Sequence, residues 1–235
     1  MKCFLVAAAF AAALGAAAPA SAADLTETPV AASYDWSGFY IGANGGWGSS
    51  HSCWDAQLAG LSFSEGCHNA TGGTVGAQLG YRWQRNDWVF GLEAQGSWAD
   101  LKGSNVSEFI PPFIDRSRVD WFGLLTAQVG YSVDNALIYV KGGAAVTHDR
   151  FEVLFPPDIP AGKTGDQTRW GGALGAGLEY GFAPNWSLAI EYDHLFMPDK
   201  TTAFAAVGLP FPFGTDRIGQ DVDLVGLRLN FHWNG

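Results

Sequence analysis

The sequence predicts an all-β chain, an eight-stranded antiparallel up-and-down transmembrane β-barrel, and three observations carry that expectation. Apolar residues recur at every second position, as in Trp88, Phe90, Leu92, Ala94, Gly96 and Trp98, and a period of two belongs to a strand. Nine of the ten tryptophans fall at the ends of such runs, on two levels. The levels are about ten residues apart; at about 3.3 Å per residue and a tilt of about 40° they rise roughly 25 Å, the height of a barrel's apolar membrane band between its aromatic girdles. The connections alternate between tight turns and long segments, the asymmetry of barrels that cross a bilayer.

Taken in order, Lys2 offers a positive n-region, residues 4–18 an apolar core and Ala20-Ser21-Ala22 a small-residue cleavage site. Residues 1–22 are therefore expected to be a cleaved signal peptide. Residues 23–35 are small and polar, the composition of a flexible lead-in, and residues 36–235 are assigned to the barrel. Eight strands are expected near 36–48, 71–84, 88–99, 119–132, 136–147, 170–182, 186–195 and 223–233. Arg85-Asn86-Asp87, Val133-Asp134-Asn135 and Ala183-Pro184-Asn185 read as tight turns. The segments near 49–70, 100–118, 148–169 and 196–222 read as surface loops, and none of the prolines interrupts an expected strand. The first strand is ambiguous. Phe39, Ile41, Ala43, Gly45 and Trp47 share one face, but Trp36 has the opposite parity. Either Trp36 lies outside the ladder or Gly45-Gly46 marks a bulge.

Charged residues make up only 15% of the chain, too few to cover a soluble surface freely, and the formal net charge of −10 disfavours nucleic acid as a partner. Past the N-terminus no apolar run is long enough for a helical span. Alternation alone does not separate a membrane barrel from a soluble one with an apolar inside. The polar face does: Gly72, Thr74, Gly76, Gln78, Gly80 and Arg82 in one strand, and Gly171, Ala173, Gly175, Gly177, Glu179 and Gly181 in another. Small residues with few charges suit a crowded lumen. By parity the lumen charges are Arg82, Glu93, Lys141, Glu179, Glu191 and Arg228. Buried charges need partners, so these are expected to pair as a plug, with Arg228 the nearest cation in strand order to the Glu179 and Glu191 carboxylates and Arg82 or Lys141 able to approach across the narrow bore. A charged constriction in a conducting pore is the alternative. The girdles are assigned to Trp47, Trp83, Trp88, Trp98, Trp121, Trp170, Trp186 and Trp233.

Cys53 and Cys67 remain after the expected cleavage and would form a disulfide in an oxidising compartment. The flanking His51 and His68 would complete a zinc-like set, but oxidation is favoured, so no metal and no other cofactor is expected. Asp193-His194 and His148-Asp149 are the pairs nearest to catalytic chemistry. Strand neighbours point to opposite faces, so neither is a dyad by adjacency, and no catalytic residue is assigned. Lys102, Arg116, Arg118, Arg150, Lys163, Arg169, Lys200 and Arg217 fall in the long segments or their rims, at the level of lipopolysaccharide phosphates.

Four stretches carry a family resemblance: Trp36-Ser37-Gly38-Phe39-Tyr40-Ile41-Gly42, Gly76-Ala77-Gln78-Leu79-Gly80-Tyr81, Tyr139-Val140-Lys141-Gly142-Gly143-Ala144-Ala145 and Leu227-Arg228-Leu229-Asn230-Phe231-His232-Trp233. With these the chain resembles the small outer-membrane immunogenic and porin-like proteins of alphaproteobacteria, in the broad superfamily of the OmpA and OmpX barrels. The resemblance implies a cell outer-membrane location, surrounding lipid and lipopolysaccharide, engagement of the barrel-assembly machinery, and a monomer. It implies a structural and interaction role without shared catalytic residues. A narrow, weakly conducting porin is the alternative, and a lipid-modifying enzyme a more distant one.

Overall fold

The computed structural model describes residues 34–58, 60–157, 159–163, 167–206 and 212–233. The expected signal peptide and all of the lead-in before Tyr34 lie outside the described residues. The strands are β1 (Gly38–Leu58), β2 (Leu61–Arg85), β3 (Trp88–Val106), β4 (Ile114–Val133), β5 (Ala136–Phe155), β6 (Ile159–Lys163), β7 (Gln167–Ala183), β8 (Trp186–Ala206) and β9 (Pro212–Trp233). Eight of them pair as a closed antiparallel ring, β1-β2-β3-β4-β5-β7-β8-β9 and back to β1. Closure leaves no sheet edge to be satisfied inside a bilayer. The short β6 lies outside this order and pairs with β5 and β8 at one end of the barrel.

The tight turns sit where expected. Arg85 pairs with Trp88, Val133 with Ala136 and Ala183 with Trp186. Asn86 (φ 53°) and Asp134 (φ 52°) take the left-handed conformation these two-residue turns need, which Asn and Asp tolerate better than other side chains.

The opposite end departs from expectation. Most of the four long segments is strand rather than loop: β1 and β2 pair out to Leu58 and Leu61, and β3 and β4 to Val106 and Ile114. The physical reason is that alternation inverts above the upper girdle. On β9, Leu227 faces out and Arg228 in, but further along the strand Arg217 faces out and Ile218 in. Register shifts at Trp98/Leu101, Val119/Trp121 and Met197/Lys200 fall at the height of this change, and such shifts re-aim side chains.

Trp36 resolves in favour of the first alternative. It precedes β1, is fully buried, and donates Nε1 to Ser132 Oγ at 3.0 Å. The β1–β2 register runs unbroken through Gly45-Gly46 and shifts only at Trp54/Asp55. All eight girdle tryptophans are exposed on the outer wall.

Candidate functional site: the filled lumen

Three apolar clusters and the polar groups between them fill the barrel. At the turn end, Tyr34 and Trp36 pack with Val89, Leu137 and Tyr139. At mid-height above the charges lie Leu101, Phe122, Leu195, Val222 and Leu224. At the other end Trp54, Phe151, Val153, Phe204 and Ile218 form an aromatic layer.

The six lumen charges are all at most 5% exposed, and the structure divides them into two groups. Arg228 bridges Glu93 and Glu191 with charge-assisted hydrogen bonds. Lys141 Nζ lies 2.7 Å from Glu191, 3.5 Å from Glu93 and 3.2 Å from Asp193. Tyr139 donates its hydroxyl to Glu191 at 2.7 Å, and Tyr40 to Glu93 at 2.6 Å. Nearer the turns, Arg82 pairs with Glu179 at 2.8 Å. Glu179 also accepts from Ser187 and, at 2.8 Å, from Asn230 Nδ2. Of the cations expected to reach the two carboxylates, Arg228 and Lys141 take Glu191, and Arg82 crosses the bore to Glu179. Glu179 and Glu191 leave β7 and β8 on different levels, opposite Ala189 and Gly177, so one guanidinium does not serve both. Gln128 links the groups, accepting from Arg82 at 3.3 Å and donating to Tyr40 at 2.9 Å.

Tyr40 and Tyr139 reach the network because each lies against a glycine. A Cβ on Gly80 would sit 2.5 Å from the Tyr40 ring, and one on Gly177 2.4 Å from that of Tyr139. Beside the charges the lumen leaves a void of about 20 Å³.

Sequence reasoning missed Tyr40, Asp193, Ser187, Asn230 and His232. Parity could have found them, since Ser187 and Asp193 share the inward face of Glu191, and Asn230 and His232 that of Arg228. Asp193 leaves four carboxylates facing three cations in the six-residue set and its neighbour.

Cys53 and Cys67 are directly paired across β1 and β2, bridged, with Cα atoms 4.1 Å apart. His51 Nε2 lies 3.4 Å from Cys53 Sγ, but the sulfurs are bonded to each other and offer no thiolate to a metal. His68 points inward to Asn105 and Ser117, away from the bridge.

Neither adjacent His–Asp pair forms a dyad. Asp149 is buried 3.6 Å from Arg169, while His148 stacks on Trp121. Asp193 faces the lumen and His194 bonds Asp223 at 2.7 Å. Ser49 and His194 both stand opposite Asp223 in register. The carboxylate thus lies between hydroxyl and imidazole, the wrong order for a base to take the serine proton.

Four of the basic side chains above the girdle, Lys102, Arg116, Arg118 and Arg150, gather on one outer face, whereas Arg217 pairs with Asp199 elsewhere and Arg169 is buried. Lys102, Arg118 and Arg150 are cross-strand neighbours in one row of β3, β4 and β5. With Arg116, Ser104 and Glu152 they line a recess of about 430 Å³. Asp100 and Asp120 hold the row from the girdle side, at 2.8 Å to Lys102, 2.6 Å to Arg118 and 3.1 Å to Arg150.

Residues 7–231 match the family described as outer membrane protein beta-barrel domain. The chain is 32% identical over 197 residues to a 31 kDa outer-membrane immunogenic protein of Brucella melitensis biotype 1, covering 75% of this chain and 80% of that one. It is 27% identical over 170 residues to a 22 kDa outer membrane protein of Rhizobium leguminosarum, covering 71% and 66%. Among solved structures, the outer membrane protein OprG of Pseudomonas aeruginosa aligns over 85% of this chain and 99% of its own, with a TM-score of 0.49 and 16% identity.

Proposed function

The chain belongs to the outer membrane protein β-barrel family, and from that premise we propose that it is a closed, non-enzymatic monomer that strengthens the envelope and presents an extended surface barrel. A cleaved signal peptide over residues 1–22 and delivery through the barrel-assembly machinery belong to the same reading. The observation that carries it is the filling of the lumen. The void beside the charge network is about 20 Å³, room for little more than one water, and the charges around it are paired to one another rather than left to a water column. The test is solute flux: proteoliposomes carrying the refolded chain should swell in small sugars no faster than empty ones. Swelling that scales with protein content would contradict the closed barrel.

Contact with lipopolysaccharide forms the second half of the proposal. Asp100 and Asp120 meet the Lys102–Arg118–Arg150 row from the girdle side, and the three cations together with Arg116 outnumber these two acids, so the recess that they line suits an anion. It lies immediately above Trp98 and Trp121, at the water boundary, where lipid phosphates sit. Lipopolysaccharide in the bilayer should raise the melting temperature, and Lys102→Ser with Arg118→Ser should remove that gain without changing stability in neutral lipid. An equal gain in the double variant would remove lipopolysaccharide from the account.

One observation favours a second reading, a narrow and weakly conducting porin. Asp193 adds a carboxylate beyond those matched by cations, and it lines the small void. That reading predicts a cation-selective current that Asp193→Asn abolishes.

A further inference from the structure

The far end of the barrel, above the Trp54 layer, carries a second buried group of charges of a different kind. Glu65 on β2 and Asp216 on β9 are each 7% exposed, and Asp115 on β4 is fully buried. Glu65 Oε1 accepts from Ser107 Oγ at 3.3 Å, but Oε2 has no partner, and both oxygens of Asp115 have none. No hydrogen bond or ion pair reaches the Asp216 side chain among the described residues.

The charged neighbours do not compensate. Asp55 on β1 adds further negative charge against Glu65. His68 on β2 is held by Asn105 and Ser117, and burial pushes its pKa down, away from the cationic form. Arg217 is engaged with Asp199 at 2.7 Å on the outer face. Arg169 lies towards the girdle, bound to the Ile218 carbonyl and close to Asp149. Burial, then Glu65 and Asp216, push the Asp115 carboxyl up to about 8, and burial, then Glu65, push Asp216 up to about 7. Lumen carboxylates near the turns meet arginine or lysine, whereas among the described residues no ion pair reaches these three.

Glu65 and Asp216 also line a cavity of about 150 Å³, whose remaining wall is largely apolar: Leu58, Phe109, Ile110, Phe113 and Val153. We propose that this cavity binds a small organic ammonium ion, its charge between Glu65 and Asp216 and its apolar body against Ile110, Phe113 and Val153. An unpaired buried carboxylate is costly, and a cation supplied from outside removes that cost. Apolar walls with a few convergent polar groups are the usual make-up of a small-molecule site. A single metal ion is a poorer fit: among the described residues, Glu65, Asp115 and Asp216 do not form a group of three whose ligand atoms all lie within 4.8 Å of one another.

The test is calorimetric titration of the full mature chain in lipid nanodiscs with hexylammonium chloride, using hexanol as an uncharged probe of the same body. An alkylammonium stays charged to pH 9, close to a lysine at about 10.4, while the carboxylates ionise as pH rises. Binding should be saturable and at least about tenfold tighter at pH 8.5 than at pH 6, since one unit of pH below a carboxylate's pKa costs about tenfold in its ionised fraction. Glu65→Gln with Asp216→Asn keeps size and removes charge, so the variant should fold and bind hexylammonium at least about tenfold more weakly. Three results would each overturn the site: no saturable binding to the parent chain, hexanol binding as tightly as hexylammonium, or the double variant binding like the parent. Calcium chloride competing with hexylammonium at equal or lower concentration would replace the organic cation with a metal.

Discussion

The two halves of this barrel solve opposite solvent problems with one set of strands. Between the girdles, Leu92, Leu125, Leu174 and Leu227 face outward and Glu93, Lys141, Glu191 and Arg228 face inward. Above them the outward residues include Lys102, Arg118, Arg150 and Arg217, and the inward ones Trp54, Phe151, Phe204 and Ile218. The outer wall copies its solvent, lipid or water, while charge pairs dominate the inner wall of the lower half and aromatic and aliphatic side chains that of the upper half, where Glu65, Asp115 and Asp216 are exceptions. The lower half is held by charge pairs in a narrow bore and the upper half by apolar burial, as in a soluble barrel. Strand periodicity is set by the backbone, whereas the identity of the apolar face is set by the medium.

The largest effect expected is inside the lower half. Arg228→Ala leaves Glu93 and Glu191 short of their shared cation, and breaking a buried pair by removing one partner costs about 3–5 kcal/mol. Unfolding titrations in lipid vesicles check this, and a stable variant would mean that water already solvates those carboxylates. Next, Leu125→Arg places a cation in the lipid band and should cost about 2–4 kcal/mol. The comparison sharpens with Ala203→Arg, on the exposed outer wall of the upper half, where an exposed substitution should stay within about 0.5 kcal/mol. Equal costs at both sites would erase the boundary between the halves.

Reducing the Cys53–Cys67 bridge acts on the upper half alone. The cysteines are 14 residues apart, and closing a loop of about 15 residues stabilises by about 3 kcal/mol in the chain-entropy account. Proteolysis of the β1–β2 tip should accelerate on reduction while the segment between the girdles stays protected. Labelling of both cysteines without reductant would remove the bridge.

The smallest effect is a pH dependence. Asp115 and Asp216 have folded pKa values, about 8 and about 7, above the ordinary carboxylate value. The folded state therefore holds protons that the unfolded chain has released. Stability of the upper half should fall as pH rises from about 4 to about 8, with no further loss from these groups above that. Amide exchange of the tip of β4 across that range would show it, and Asp115→Asn should flatten the slope. A slope of opposite sign would place a cation beside these carboxylates.

Much of the lower half was legible in the chain. The comb of apolar residues, the tryptophan levels and the tight turns located eight membrane strands because lipid imposes one strict alternation. The upper half was read as loops because its outer wall turns polar while the irregularities near Val119 on β4 and Met197 on β8 re-phase the pattern. Trp54, left out of the girdle assignment, is a core residue of that half. In the lumen, parity named the charged residues, and strand order pointed to Arg228 beside Glu191 but did not choose among the cations for Glu179. Arg82 reaches Glu179 across the bore, a contact set by side-chain length rather than by adjacency in the sheet.

Spin labels placed singly along the outer face of β5, at Ile138, Val140, Ala144, Val146, Arg150 and Glu152, would test the central claim most directly. Accessibility to lipid-soluble oxygen and to a water-soluble nickel complex should exchange dominance once, between Val146 and Arg150, with the lipid side towards Ile138. Continuous lipid accessibility out to Glu152, or water accessibility at Val140, would contradict a barrel whose polarity inverts at the upper girdle.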